Sequence, residues 1–271
     1  MTRPYREAAR YYHARPPYSA DLRPVLAAKL GWNASGRLLD VGCGPGVVAL
    51  ELAPSFAQVV GLDPEERMLE EARALTPRPD DGKIEWIHGR AEDIPTLNLG
   101  RFQAIALAQS FHWTDKLLVA NIAYDSLDDG GSMLLIHHEA PVRATSKSSH
   151  RAGHPLIPYE AIDDVLVRWL GRGKPPPDPN REPYQDLLAR TRFGSSERLF
   201  LPGRIDLVRS VDDVIDNYLS TSFAAPELFG DRLGDFRGDL AMTLRARTDT
   251  GFFWEWPRDT EVLIATKGWP G

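Results

Sequence analysis

The sequence predicts an α/β protein built on a doubly wound, mainly parallel sheet of seven strands. Short apolar runs alternate with amphipathic stretches over the first 140 residues, a glycine-rich turn follows the first run, and two further apolar runs appear near the end. This alternation is typical of βαβ units, in which crossover helices join parallel strands. We therefore expect a Rossmann-like sheet with helices on both faces.

Each predicted strand is rich in β-branched or large apolar residues and is bounded by Gly, Asp or Pro. The first five are RLLDVG (37–42), QVVGLD (58–63), KIEWIHG (83–89), FQAIALA (102–108) and SMLLIHHE (132–139). ERLFLPGRIDLV (197–208) and EVLIATK (261–267) are predicted as the last two strands.

Helical patterns separate the predicted strands. The second of them, residues 64–75, opens with proline and acids, which suit the first turn of a helix. The predicted helices cover residues 46–53, 64–75, 115–127, 156–171, 184–191, 211–220 and 232–247.

The chain is predicted to be a single domain with a helical insertion after the fifth strand. Residues 141–155 are small, polar and basic, and residues 172–183 contain five prolines, which exclude regular structure there. We expect residues 1–36 to form an N-terminal helical cap, 37–140 the cofactor-binding core, 141–196 an insertion or lid, and 197–271 the strands and helices that complete the sheet.

Composition narrows the functional class. The 38 acidic and 32 basic side chains give a net charge of −6, which argues against a nucleic-acid partner. A single cysteine, Cys43, excludes an internal disulfide framework and a multi-cysteine zinc site, so we expect a cytoplasmic protein. The polar start and the lack of an 18-residue apolar run predict a soluble protein with no membrane partner.

The strongest signal is LLDVGCGPG (38–46), an apolar strand that ends in an acid and a glycine turn before a helix. Gly42, Gly44 and Gly46 are expected to let the backbone approach a ligand, because a Cβ at these positions would collide with it.

A second acid, Asp63, ends the next strand, where a carboxylate can accept both hydroxyls of a ribose. The turn and this acid together indicate a nucleoside cofactor, either a dinucleotide or S-adenosylmethionine. The dinucleotide fingerprint needs its third glycine at Val47, so the observed G-x-G-x-G spacing weakens that alternative.

With these residues, the sequence resembles the class I S-adenosylmethionine-dependent methyltransferases. YYHARPPY (11–18) is similar to the Y-x-x-x-R-P-x-Y stretch of a subgroup that includes trans-aconitate methyltransferases. The other matching segments are DVGCGPG (40–46), LDPEERML (62–69), GRAEDIP (89–95) and AQSFHWTD (108–115).

The resemblance implies S-adenosylmethionine as cofactor and assigns residues to each part of it. Gly42, Gly44 and Gly46 would border the methionine part, and Asp63 would hold the ribose. Pro64 and Met68 would cover the adenine faces, and the Ala91 N–H and the Glu92 carboxylate would bind the adenine edge. Gln109 would lie near the sulfonium. Tyr11 and Arg15 would close the site, with Arg15 placed to pair with the cofactor carboxylate.

Methyl transfer needs alignment of donor and acceptor more than it needs a strong acid or a metal. His112, in the loop after the fourth strand, is the predicted catalytic base for a weakly nucleophilic acceptor, and packing beside Trp113 is its alternative role. His137 and His138 rank below it. With Glu139 they are adjacent on one strand and cannot converge on one ion, so no metal site is predicted.

The predicted activity is therefore methyl transfer to a small-molecule acceptor, and the sequence leaves the oligomeric state open. Two alternatives stay open at this point. One is a nicotinamide-dependent oxidoreductase of related topology, although the chain lacks a Tyr-x-x-x-Lys pair. The other is a cofactor-binding regulatory protein without transfer chemistry.

Overall fold

A computed structural model describes residues 7–76, 82–138, 150, 151, 153–176, 182–256 and 258–268. The chain divides into two compact units. The first unit comprises Met1–Tyr18, Ala140–Pro179 and Gly203–Arg258, and the second comprises Ser19–Glu139, Asn180–Pro202 and Asp259–Gly271.

The secondary structure of the described residues alternates strands and helices over its first half. The strands are β1 (Arg37–Val41), β2 (Gln58–Asp63), β3 (Ile84–His88), β4 (Phe102–Ala108), β5 (Leu127–His138), β6 (His150–Arg151), β7 (His154–Pro155), β8 (Glu197–Leu201), β9 (Val208–Ser210), β10 (Phe252–Trp254) and β11 (Thr260–Thr266). The α-helices are α1 (Leu22–Leu30), α2 (Val47–Leu52), α3 (Glu66–Leu75), α4 (Lys116–Ser126), α5 (Tyr159–Leu170), α6 (Tyr184–Ala189), α7 (Val211–Leu219) and α8 (Leu233–Arg245).

The second unit is built on a seven-stranded sheet in the order β3-β2-β1-β4-β5-β11-β8. The pairs from β3 through β5 are parallel, whereas β11 is antiparallel to both β5 and β8. The predicted fold class, a mainly parallel Rossmann-like sheet of seven strands, is confirmed. Because β2 and β4 lie on opposite sides of β1, a crevice forms at the carboxyl ends of these strands, where such sheets bind ligands.

The central strands are apolar along their length because both sheet faces are covered. Leu39, Ile105 and Met133 on neighbouring strands have no exposed surface, and Phe102 at the start of β4 is equally buried. This continuous burial fixes the strand register, which in turn fixes where each strand-end side chain emerges.

The sequence analysis was wrong about one strand. The run predicted over residues 197–208 is divided at Pro202 and Gly203: β8 ends at Leu201, and β9 pairs with β10 in a separate two-stranded sheet. A Cβ at Gly203 would lie 2.3 Å from the Arg258 carbonyl oxygen, so the chain at this point runs directly against another backbone segment. Proline and the close approach together end the strand.

The first unit is mainly helical. Its core consists of apolar side chains from α5, α7 and α8, including Ile162, Ile215 and Phe236. The start of α7 has a capping box, in which Ser210 Oγ accepts the Asp213 N–H and the Asp213 carboxylate accepts the Ser210 N–H. Contacts group α5, α7 and α8 in this unit. The division predicted from the sequence, in which residues 197–271 complete the sheet, stays a prediction.

None of the helices in the described part of the chain has the length and apolar character that crossing a bilayer requires.

Asp40 sits inside the core near the end of β1 and has no exposed surface. Its Oδ2 accepts the Ala49 N–H at 3.0 Å. The residue before α2 is Gly46, which has no side chain to cap the helix, so Asp40 supplies the oxygen that a capping side chain usually provides. Burial, with a contribution from the Asp63 carboxylate, raises the pKa of Asp40 to about 7, and the Ala49 N–H opposes the rise.

This burial predicts a stability change for Asp40→Asn. The carboxyl of the unfolded chain loses its proton near its ordinary pKa of 3.8, whereas that of the folded protein loses it near 7. The free energy of unfolding therefore falls as the pH rises between these two values. Asn keeps an acceptor for Ala49 without the charge. We expect the variant to gain about 4 kcal/mol in free energy of unfolding at pH 8, from a shift of about three pKa units.

Urea unfolding of both proteins from pH 4 to pH 8 measures the effect. The two curves should meet near pH 4 and separate as the pH rises. Asp128→Asn is the matched control, because Asp128 is exposed at the amino end of β5. This variant should follow the wild type throughout. A constant difference across the pH range would contradict the burial argument.

Candidate cofactor and active site

The turn between β1 and α2 consists of left-handed glycines. Gly42, Gly44 and Gly46 have φ angles of +66°, +54° and +81°, which strain residues that carry a Cβ. A Cβ at Gly42 would lie 2.5 Å from Ser110 Cβ, and one at Gly46 would lie 2.3 Å from the Trp86 ring. The sequence analysis attributed these two glycines to ligand approach, whereas the structure shows that the protein's own side chains already require them.

Trp86 on β3 is a supporting residue that the sequence analysis missed. Its ring also lies 2.3 Å from where a Cβ of Gly61 on β2 would be, so the same indole covers two glycines. The indole N–H donates to Thr76 Oγ1 at 3.0 Å, which fixes the ring. The sequence signal for this packing was a glycine inside one predicted strand, Gly61, with a tryptophan in the next predicted strand, Trp86.

Asp63 connects the end of β2 to the glycine turn. It is 7% exposed, Oδ2 accepts the Gly44 N–H and Oδ1 accepts the Glu65 N–H, both at 2.8 Å. Burial raises the pKa of Asp63, and these two N–H donors oppose the rise. Each carboxylate oxygen has capacity for a further donor, so the pair of hydroxyls of a ribose fits the chemistry of this group.

Cys43 lies inside the turn and is buried. Burial raises the pKa of its thiol well above the ordinary value, and the carboxylates of Asp40 and Asp63 add to the effect. The thiol therefore stays protonated and serves as a small packing group.

Pro64 and Met68 follow Asp63 along the chain. The Pro64 carbonyl oxygen lies 3.1 Å from His88 Nε2, and Met68 in α3 is 3% exposed. Met68 is therefore almost completely buried within the second unit.

Ala91 and Glu92 begin a 3-10 helix, Ala91–Thr96. Ala91 is buried, whereas the Glu92 side chain keeps 24% of its surface exposed. Glu92 Oε1 accepts the Asp115 N–H at 3.1 Å, and Oε2 lies 3.5 Å from Arg90 Nε. This carboxylate therefore ties the 3-10 helix to the residue that precedes α4.

Gln109, immediately after β4, has a φ of +54°, which is rare for a residue with a side chain. Its N–H donates to the Ile136 carbonyl oxygen at 2.9 Å. Ser110 Oγ donates to the Val41 carbonyl oxygen at 2.6 Å. The segment after β4 is thus bonded to β5 on one side and to β1 on the other, and Ser110 meets the glycine turn there.

A cavity of about 150 Å³ lies at the carboxyl ends of β4 and β5. Its lining includes Gln109, His112, His137, His138 and Tyr184. His112 is exposed on the 3-10 helix Phe111–Trp113, with its ring centroid 5.0 Å from that of Trp113.

Tyr11 and Arg15 belong to the first unit and contact other residues of that unit. Arg15 Nη2 donates to the Ser220 carbonyl oxygen at 2.7 Å, and the guanidinium lies 5.0 Å from the Tyr12 ring centroid. Arg237 lies 5.7 Å from the Tyr11 ring centroid.

Among the predicted site residues, the structure links Gly44 directly to Asp63 and brings Gln109 next to the turn through Ser110. Within the described part of the chain, His, Cys, Asp and Glu side chains form no group of three that could hold a metal ion. Glu139, which the sequence analysis placed beside His137 and His138, is outside the described residues.

The chain is similar to known methyltransferases. Residues 38–131 match the family described as a methyltransferase domain. A Saccharomyces cerevisiae protein described as a candidate S-adenosylmethionine-dependent methyltransferase is 32% identical over 109 residues, which cover 40% of this chain and only 37% of that protein.

A bacterial relative is matched over more of its length. The ubiquinone/menaquinone biosynthesis C-methyltransferase of Geobacter sp. (strain M21) is 30% identical over 203 residues, 69% of this chain and 82% of that protein. The solved structure of a candidate type II methyltransferase from Anaeromyxobacter dehalogenans shares the fold, with a TM-score of 0.51 and 21% identity over 93% of this chain and 96% of that one. The extent and identity of the bacterial match, on a common fold, show that this chain belongs to the class I S-adenosylmethionine-dependent methyltransferases.

Proposed function

We propose that this protein transfers the methyl group of S-adenosylmethionine to a small-molecule acceptor by in-line displacement. The observation that carries the proposal is the buried Asp63 carboxylate, bonded to the Gly44 N–H at the crevice beside β1. The bound cofactor supplies an electrophilic methyl group on a positively charged sulfur. Because the chain belongs to this methyltransferase family, the alternative of a nicotinamide-dependent oxidoreductase is set aside.

In this proposal the second unit holds most of the cofactor. Gly42, Gly44 and Gly46 border the methionine part, and the free lone pairs of Asp63 accept the ribose hydroxyls. Pro64 and Met68 cover the adenine, Ala91 and Glu92 bind its edge, and Gln109 lies near the sulfonium. Tyr11 and Arg15 at the amino-acid end stay predictions from the resemblance, as does the trans-aconitate subgroup.

The acceptor is proposed to be a small organic molecule. The Geobacter relative is named for a role in quinone biosynthesis, which supports an acceptor of this kind. The net charge of −6 disfavours nucleic acid. Transfer to a neutral acceptor oxygen or carbon removes the sulfonium charge, so a site that excludes water and aligns the two reactants supplies most of the acceleration. A cytoplasmic location stays a prediction.

Asp63→Ala tests the ribose assignment. Loss of a charge-assisted hydrogen-bond acceptor for the ribose should weaken binding of S-adenosylhomocysteine by about 1–3 kcal/mol. Isothermal titration calorimetry measures the dissociation constant, and circular dichroism confirms that the variant is folded.

Asp128→Ala is the matched control for Asp63→Ala, because Asp128 is exposed at the opposite end of the sheet. An unchanged dissociation constant in a folded Asp63→Ala protein would refute the ribose assignment. Binding of S-adenosylhomocysteine without methyl transfer to any acceptor would instead favour the regulatory alternative.

Glu92→Gln tests the adenine edge. A carboxylate accepts from the adenine amino group but faces a carbonyl oxygen in S-inosylhomocysteine, so the wild type should prefer S-adenosylhomocysteine. The amide of Gln can donate to that carbonyl, and the preference should shrink by about tenfold or more, the value of a charge-assisted hydrogen bond. The ratio of the two dissociation constants measures the effect.

A Glu85→Gln protein, altered at an exposed position on β3, provides the comparison for Glu92→Gln. If Glu92→Gln weakens both ligands equally, Glu92 acts through its bond to Asp115 and does not contact the adenine.

A further inference from the structure

One histidine of the cavity is held by a carboxylate. His137 on β5 and Glu261 on β11 are directly opposed in the antiparallel register, so their side chains emerge on the same face. Glu261 Oε2 lies 2.8 Å from His137 Nε2, and the two side chains are 10% and 26% exposed. The pair is therefore placed by the sheet itself and is largely shielded from water.

Glu261 determines which ring nitrogen of His137 carries the proton. A carboxylate only accepts, so the neutral ring donates through Nε2–H and keeps the Nδ1 lone pair available. Arg198 Nε lies 2.8 Å from the other oxygen, Oε1, and holds the carboxylate in this orientation. No hydrogen bond to Nδ1 occurs within the residues that the structure describes.

His137 lines the cavity at the carboxyl ends of β4 and β5. The Tyr184 ring centroid lies 6.2 Å away and nearly perpendicular, and Tyr184 in turn packs on Phe111 at 5.2 Å. Among the residues that the structure describes, the other titratable side chains that line the cavity are Tyr184, His112 and His138. Gln109, proposed to lie near the sulfonium, lines the same cavity.

We infer that His137 is the general base of the methyl transfer, that Glu261 is its positioning residue, and that the acceptor is a small molecule with a hydroxyl nucleophile, such as an alcohol, phenol or enol. This inference rests on the proposed function and replaces His112, which is exposed beside Trp113, in the role of base.

The step balances without a further reactant. A lone pair of the acceptor oxygen forms the new bond to the methyl carbon, and the carbon–sulfur bond breaks with its electron pair moving to sulfur. The hydroxyl proton passes to Nδ1 of His137, and the imidazolium is stabilised by Glu261 at Nε2 until the proton leaves to water. A base in this place is useful only for an acceptor that must lose a proton.

The first test needs no acceptor. Long-range proton–nitrogen NMR of the ¹⁵N-histidine protein reports the tautomer of each ring. We expect neutral His137 to carry its proton on Nε2, and assignment uses the spectrum of His137→Ala. A proton on Nδ1 would overturn the inference, because that nitrogen could then accept nothing.

The second test measures turnover with radiolabelled S-adenosylmethionine on a panel of hydroquinones, catechols and sugars, with tertiary amines and thioethers as acceptors that need no base. His137→Ala should lower kcat on a hydroxyl acceptor by about 100-fold or more, with binding of S-adenosylhomocysteine unchanged and partial rescue by added imidazole. Glu261→Gln should lower kcat less than His137→Ala does and leave KM for the acceptor unchanged. His154→Ala, at a histidine of the first unit bonded to Thr250, is the matched control.

The outcomes separate the inference from the proposed function. Full activity of His137→Ala, or transfer by the wild type to amines or thioethers alone, would overturn the inference while methyl transfer itself stands. A loss in His112→Ala that exceeds the loss in His137→Ala would return the role of base to His112. Failure of the wild-type protein to bind S-adenosylhomocysteine would refute the proposed function.

Discussion

The site depends on two buried carboxylates that hold a turn almost without side chains. Asp40 lies near the end of β1 and Asp63 ends the neighbouring β2. Asp63 accepts the Gly44 N–H of the turn between β1 and α2, and Asp40 accepts the Ala49 N–H in the first turn of α2. Glycines can follow this path but do not stabilise it, because they lose more conformational freedom than other residues. The acids supply the missing bonds, and burial raises the pKa of both as the cost of that arrangement.

The parallel half of the sheet could be predicted because each of its strands is indicated by residues within that strand and directly beside it. Strands buried on both faces are continuous apolar runs, and β1, β2 and β3 end at or directly before Gly42, Asp63 and Gly89. β4 and β2 have the predicted bounds. The same local logic failed at residues 197–208, because nothing within that run indicates that Gly203 meets the backbone of Arg258.

The reasons for the site residues were harder to predict than their positions. The glycines of the turn follow from their spacing, yet the neighbours that require Gly42 and Gly46 are Ser110 and Trp86, from distant parts of the chain. His137 was ranked below His112 for the same reason. Its value as a base comes from Glu261, and the register of β11 against β5 cannot be deduced from either strand alone.

The two ends of the site are built by different means. On the proposed donor side, the groups offered for binding are backbone N–H groups and strand-end acids, which follow from the path of the chain between β1 and β3. On the proposed acceptor side, the cavity at β4 and β5 is lined by side chains such as Gln109, His112 and Tyr184, which can change without disturbing a strand. A base placed on a strand, with its carboxylate on the next strand, therefore combines the rigidity of the sheet with an exchangeable pocket.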